Sequence, residues 1–337
     1  MNIKRKTAKD LGGKIIDIHA HTGVSLRAYG TQSFPYAQTL EGLYYRQLAH
    51  DIDINVLFPF SSDLYADIGQ YVDSGIFRPA KKPISPSPFA IENSLLFKEV
   101  FEFCPELTDR FLPFVSIDTG RAIDAQMKEL ERLGDKYPIY GIKVLGVATQ
   151  QKVVKLLKES SIFLDFAQSN NIPMLFHTTP TKDDEYSNVD DVLKVVESRP
   201  GIRFCLAHCI LFHRDYLDIA DGMDNVWVDT AALKVQVDLL MDYIGNGVNK
   251  EDLVDADFSD FRKVLKYLCD RYPDTIIWGT DSPAYSYITR RRQGKDTYRD
   301  FRYKGTYEDE VAALNYLPGK QRLKAGSINA IKFLFGS

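Results

Sequence analysis

Cysteine is scarce in this sequence: four residues in 337, at positions 104, 205, 209 and 269, with no Cys-x-x-Cys pair. That spacing suggests no disulfide framework and fits a reducing, cytoplasmic setting. Long apolar runs are missing as well, and none approaches the ~18 residues of a membrane-spanning helix. The opening MNIKRKTAKDLGGK is basic but lacks the apolar stretch of a secretory signal. Neither sign of charge dominates: 42 Lys and Arg against 46 Asp and Glu leave a net −4, which gives no electrostatic footprint for nucleic acid or an anionic membrane. No low-complexity linker marks a boundary, so a single domain over residues 1–337 is expected. What is present is ordinary globular composition, 45% apolar and 26% charged.

Eight short apolar runs recur along the chain: KIIDIHA (14–20), INVLFPF (54–60), FLPFVSI (111–117), IYGIKVL (139–145), IPMLFHT (172–178), IRFCLAH (202–208), NVWVDTA (225–231) and TIIWGTD (275–281). Their few polar interruptions suit strands buried on both faces, as in a parallel sheet covered by helices. Between them, segments such as AIDAQMKELERLGDKY, KVVKLLKESSIFLDFAQSN, NVDDVLKVVESRP and FSDFRKVLKYLCDRYP place apolar residues at helical steps. This alternation predicts an α/β fold, a (β/α)8 TIM barrel. No Gly-x-Gly-x-x-Gly follows the first strand, which disfavours a doubly wound open sheet. A long insert, residues 61–110, follows strand two, and its Pro-rich part at 75–90 is expected to be irregular. The segment 318–335 reads as a last helix closing the barrel.

Histidine is also rare, six in all, yet four stand where predicted strands end: His19 and His21 on strand one, His177 on strand five and His208 on strand six. Asp281 ends strand eight. Residues two apart on a strand share a face, so His19 and His21 form a pincer suited to Zn, Fe, Mn or Ni. His177 and Asp281 would complete the ligand set and leave a position open for water. Lys143 ends strand four in YGIKVLG. It has three readings, a carbamate bridging two metals, a partner for a substrate carboxylate, or a structural ion pair. Asp17 reads as a buried hydrogen-bonding support, Cys205 as a small core residue, His50 as helix packing and His213 as structural.

With these residues in place, the sequence resembles the amidohydrolase superfamily, in its amidohydrolase-related branch. DIHAHTG resembles that branch's Asp-x-His-x-His opening and PELTDRFLPFVSID its approach to strand three. GIKVLG, LAHCI and WGTDSP resemble its motifs on strands four, six and eight, and SINAIKFLFG its closing helix. The likeness runs from about residue 14 to 336. It implies a distorted barrel in which His19, His21, His177 and Asp281 hold one divalent metal ion, with zinc expected. In one-metal members His208 would be catalytic or orient water. In two-metal members it would bind the second ion, with carboxylated Lys143 as the bridge.

The expected activity is that of a metal-dependent hydrolase acting on an amide, ester or lactone carbonyl, with Asp281 and His208 as catalytic residues. The alternative is a metal-dependent, non-oxidative decarboxylase of a small unsaturated or aromatic acid. Lys143, Arg27 and the run Arg290-Arg291-Arg292 are candidates to anchor a substrate. A small molecule is the expected partner, with no nucleic acid and no membrane, and a homodimer is compatible with the chain. The stretches 61–110 and 290–310 match no assignable pattern and are expected as loops flanking the mouth.

Overall fold

All eight apolar runs form strands, because each is buried on both faces and has only its neighbours' backbones to pair with. The computed structural model describes residues 3–181, 184–244, 248–292 and 298–336. Its strands are β1 (Ile16–Val24), β2 (Ile54–Pro59), β3 in two pieces (Phe111–Pro113 and Val115–Ile117), β4 (Ile142–Val144), β5 (Met174–Phe176), β6 (Phe204–Leu206), β7 (Val226–Asp229) and β8 (Ile276–Ile277). Successive strands pair in parallel from β1 to β8.

The ladder is interrupted in two places. At Phe114 the chain changes partner: Phe114 N–H donates to Leu57 O of β2 at 2.8 Å, and Val115 N–H donates to Gly141 O at 3.0 Å. Between β1 and the residues after β8, backbone hydrogen bonds run from Ile18 N to Trp278 O (3.3 Å), Asp281 N to His19 O (2.8 Å) and His21 N to Ser282 O (2.6 Å). The fold is a distorted (β/α)8 barrel, and this last seam carries the ends of strands one and eight side by side.

Helices cover the barrel with apolar stripes. Ile123–Gly134 buries Met127, Leu130 and Leu133, and Phe261–Arg271 buries Val264, Leu265, Leu268 and Cys269. Each large apolar side chain so covered contributes about 1.5–3 kcal/mol. Packing is tight at Gly141, where an added Cβ would lie 2.4 Å from the buried Phe114 ring. Gly141→Ala is therefore expected to cost about 1–3 kcal/mol of stability. Denaturant melts would measure this, and an unchanged midpoint would contradict the packing.

Three expectations are corrected. The segment 152–170 is not one helix but a 3-10 stretch, Val153–Leu157, followed by a helix, Ile162–Ser169, because Ser160 and Ser161 fall at the junction. The segment 318–335 is helical in three pieces, with a wider π-type turn at Lys324–Ile328. The 290–310 stretch is not a loop: β9 (Ser286–Arg292) and β10 (Tyr298–Lys304) form an antiparallel hairpin. Arg290 pairs with Asp300 at 3.5 Å on its exposed face, while the side chains of Arg291 and Arg292 lie outside the described residues.

The insert after β2 carries helices Ile68–Ser74 and Ala90–Lys98, with irregular chain between them. Glu92 Oε1 accepts Leu64 N–H at 3.0 Å, and burial pushes its carboxyl up to about 7. A raised carboxyl binds its proton more tightly folded than unfolded. Its contribution to stability is complete below about 4.5 and is lost as pH rises towards about 7. Glu92→Gln should flatten the fall in melting temperature over that window, and an unaltered pH slope would refute the assignment.

Candidate active site

β1 delivers two imidazoles to the mouth. His19 and His21 alternate with Ile18 and Ala20, and Phe58 of β2 packs edge-on against both rings, at 5.0 and 4.8 Å. Asp281 follows β8 at a left-handed φ of 60°. Its Oδ1 lies 3.2 Å from His19 Nε2 and 3.2 Å from His21 Nε2. Among the described residues, these three offer ligand atoms within 4.8 Å of one another, and all are buried.

His177 and His208 stand beside this cluster as a pair. His177 Nδ1 lies 2.9 Å from His208 Nε2, and the His208 ring centroid is 5.3 Å from that of His19. His208 opens an unusual turn: His208, Cys209, Ile210, Leu211 and Phe212 all have φ between 47° and 64°. None is glycine, and left-handed backbone costs roughly 1–2 kcal/mol per such residue, so strong local contacts must hold the turn. Lys143 Nζ is 3.1 Å from His19 Nε2 and 4.8 Å from the centroid of the Phe58 ring.

Asp229 was absent from the candidates drawn from sequence. It ends β7 in NVWVDTA, at the same mouth, which was the available signal. Its Oδ2 faces His19 Nδ1 at 2.9 Å. Asp17 lies one layer deeper and accepts from Asn55 Nδ2 (2.6 Å), Thr280 Oγ1 (2.7 Å), Thr280 N (2.9 Å) and His19 N (3.2 Å). It ties β1, β2 and the β8 end together beneath the imidazoles.

Arg27 is buried but already engaged. Its Nε is ion-paired with Asp63, its Nη1 donates to Ala148 O at 2.7 Å, and its guanidinium lies over Tyr71 and Phe77, each at 4.9 Å. Asp63 sits in the insert after β2, so this pair pins the insert to the segment after β1. His50 caps its helix 3.4 Å from Glu308, and Cys205 is fully buried.

Burial lowers the His19 and His177 imidazoles well below their usual range, with Lys143 adding to the effect on His19 and His208 to that on His177. Burial alone would raise the Asp281 carboxyl, but the His19, His21 and His208 imidazoles outweigh it and hold it below the usual carboxylate range. Burial brings the Lys143 ammonium down to about 8 against the pull of Asp229 and Asp281.

The donor set fits a divalent transition metal. His19 Nδ1 faces Asp229, and His21 Nδ1 faces Pro59 O at a longer 3.4 Å. The Asp229 contact assigns the His19 ring proton to Nδ1 and leaves its Nε2 lone pair between Asp281 and Lys143 Nζ. Two imidazoles and a carboxylate suit such an ion.

The family model described as Amidohydrolase matches residues 85–335, from the insert to the closing helix. This chain belongs to the amidohydrolase family. No curated protein matches the sequence. Solved structures similar to this amidohydrolase include 2,6-dihydroxybenzoate decarboxylase from Rhizobium, 13% identical, with 95% of this chain and 98% of that chain covered and a TM-score of 0.58. A 5-carboxyvanillate decarboxylase from Novosphingobium aromaticivorans with bound manganese is 12% identical over 98% of this chain and 99% of that one, TM-score 0.55. Dihydroorotase from Campylobacter jejuni is 14% identical over 98% and 86%, TM-score 0.50. At such identities the likeness is one of fold. The family match begins after β1, so His19 and His21 rest on the geometry above.

Proposed function

We propose that this amidohydrolase is a metal-dependent hydrolase in which water attacks an amide, ester or lactone carbonyl of a small molecule. The observation that carries the reading is the Asp281 carboxylate, with Oδ1 shared between two imidazole Nε2 atoms at 3.2 Å. His19, His21 and Asp281 would hold the ion, zinc in this reading, with His177 as a further ligand. Bound there, the ion would supply a Lewis acid for the carbonyl and would lower the pKa of neighbouring water. Asp281 Oδ2, the oxygen not facing the imidazoles, takes the proton from the attacking water and passes it to the leaving group. His208 acts on the water through His177, whose Nδ1–H it accepts at Nε2. Lys143 contacts the substrate; carboxylated, it would instead be a ligand for a second ion.

Non-oxidative decarboxylation is the second reading, supported by fold similarity to two decarboxylases. It calls for a cation to anchor the substrate carboxylate. Arg27 has its guanidinium on Asp63 and Ala148 O, and Arg290 has its own on Asp300. Among the described side chains, Lys143 is then the named cation beside the ligand cluster, and we favour hydrolysis. The two reactions separate in oxygen-18 water: hydrolysis places the label in the product, whereas decarboxylation releases carbon dioxide. The test is a panel of lactones, esters, amides and unsaturated acids with zinc- or manganese-loaded protein. Carbon dioxide release without turnover of any hydrolysable substrate would overturn the hydrolase assignment.

A further inference from the structure

Asp229 is fully buried, and its two oxygens serve different halves of the site. Oδ2 accepts from His19 Nδ1 at 2.9 Å, with Cys205 Sγ at 3.8 Å. Oδ1 accepts the backbone N–H of His208 at 3.0 Å and that of Ala231 at 3.1 Å. The contact with His208 N falls on the first residue of the left-handed turn. Ala231, held by the same oxygen, places its carbonyl 3.1 Å from His208 Nδ1. A proton on His208 Nδ1 leaves Nε2 as the acceptor for His177 Nδ1 at 2.9 Å. The order therefore runs unbroken from one carboxylate to three imidazoles.

We propose that Asp229 is a positioning residue that sets the tautomers of both halves at once, His19 on the metal-binding side and His208–His177 on the other. The metal-binding side rests on the ligand assignment above, but the tautomer relation does not depend on which reaction the site performs. The Asn substitution dissects it. Two backbone N–H groups require an acceptor at the Oδ1 position, so Asp229→Asn must keep its oxygen there and turn its NH2 towards His19. His19 Nδ1 then becomes an acceptor, its proton moves to Nε2, and the lone pair aimed at the metal is lost. The His208 turn keeps its anchor.

The experiment is nitrogen-15 NMR of the histidine rings in the full, metal-free chain, wild type and Asp229→Asn, together with zinc affinity by chelator competition. The expected wild-type result is a proton on Nδ1 for His19, His208 and His177. In Asp229→Asn only His19 should switch to the Nε2 form, with His50 as an unaffected control. Zinc affinity should fall by about 10–100-fold, the scale for losing an outer partner of a ligating imidazole. Asp229→Ala should disturb His208 and His177 as well, and circular dichroism reports whether it folds. If it does not fold, Asp229→Asn decides alone. An unchanged His19 tautomer with zinc affinity within twofold of wild type would overturn the proposal. A protein that hydrolyses nothing would overturn the hydrolase reading and leave these ring spectra as they are.

Discussion

Asp281→Asn is expected to lower turnover by roughly 10²-fold or more while keeping part of the metal affinity. The amide preserves size and an oxygen at the position of Oδ1, between His19 Nε2 and His21 Nε2. It removes the negative charge and the oxygen that would accept the water's proton. The carboxyl is held below the usual range, so in wild type it is ionised throughout the neutral region. An acid limb in the rate profile near neutrality therefore does not belong to Asp281. Steady-state kinetics with metal content measured in parallel separates the roles. Near-wild-type turnover would refute proton transfer by Asp281 but leave its place as a ligand standing.

The second large effect is expected from His21→Ala. His21 supplies one of the three converging atoms, so its loss should cost metal affinity more than the roughly 10–100-fold typical of an outer partner. Activity should vanish with it. The barrel beneath should persist, because Asp17, Asn55 and Thr280 join β1, β2 and the β8 end without His21. Thermal shift titration with zinc reads both predictions together. A ligand at 100 times its Kd stabilises by about 2.7 kcal/mol, so wild type should melt higher with metal and His21→Ala should not. Equal metal-induced shifts in the two proteins would show that His21 is no ligand.

The eight strands were legible in the amino-acid sequence because a parallel barrel buries both faces of each strand, and burial leaves unbroken apolar runs such as INVLFPF. The His19–His21 pincer was legible for a related reason: a spacing of two puts both rings on one face whatever the rest of the chain does. Strand-end placement then pointed to His177, His208, Lys143 and Asp281. The β9–β10 hairpin was missed because its YRDFRYK strand is mostly exposed, with Phe301 the one buried residue in it, and so carries little apolar pattern.

Only the tertiary structure decided which of these groups meet. Asp229 is 210 residues from His19 in the chain, and no local periodicity links them. Arg27 was a free cation by sequence, and folding gave it to Asp63, 36 residues away. The left-handed turn at 208–212 contains no glycine to announce it and is held in part by a carboxylate from the next strand. Periodicity is written by near neighbours, because a strand or helix repeats within a few residues. Hydrogen-bond partners, tautomers and the strained turn depend on which distant strand ends share the mouth, and closing the barrel is what brings those ends together.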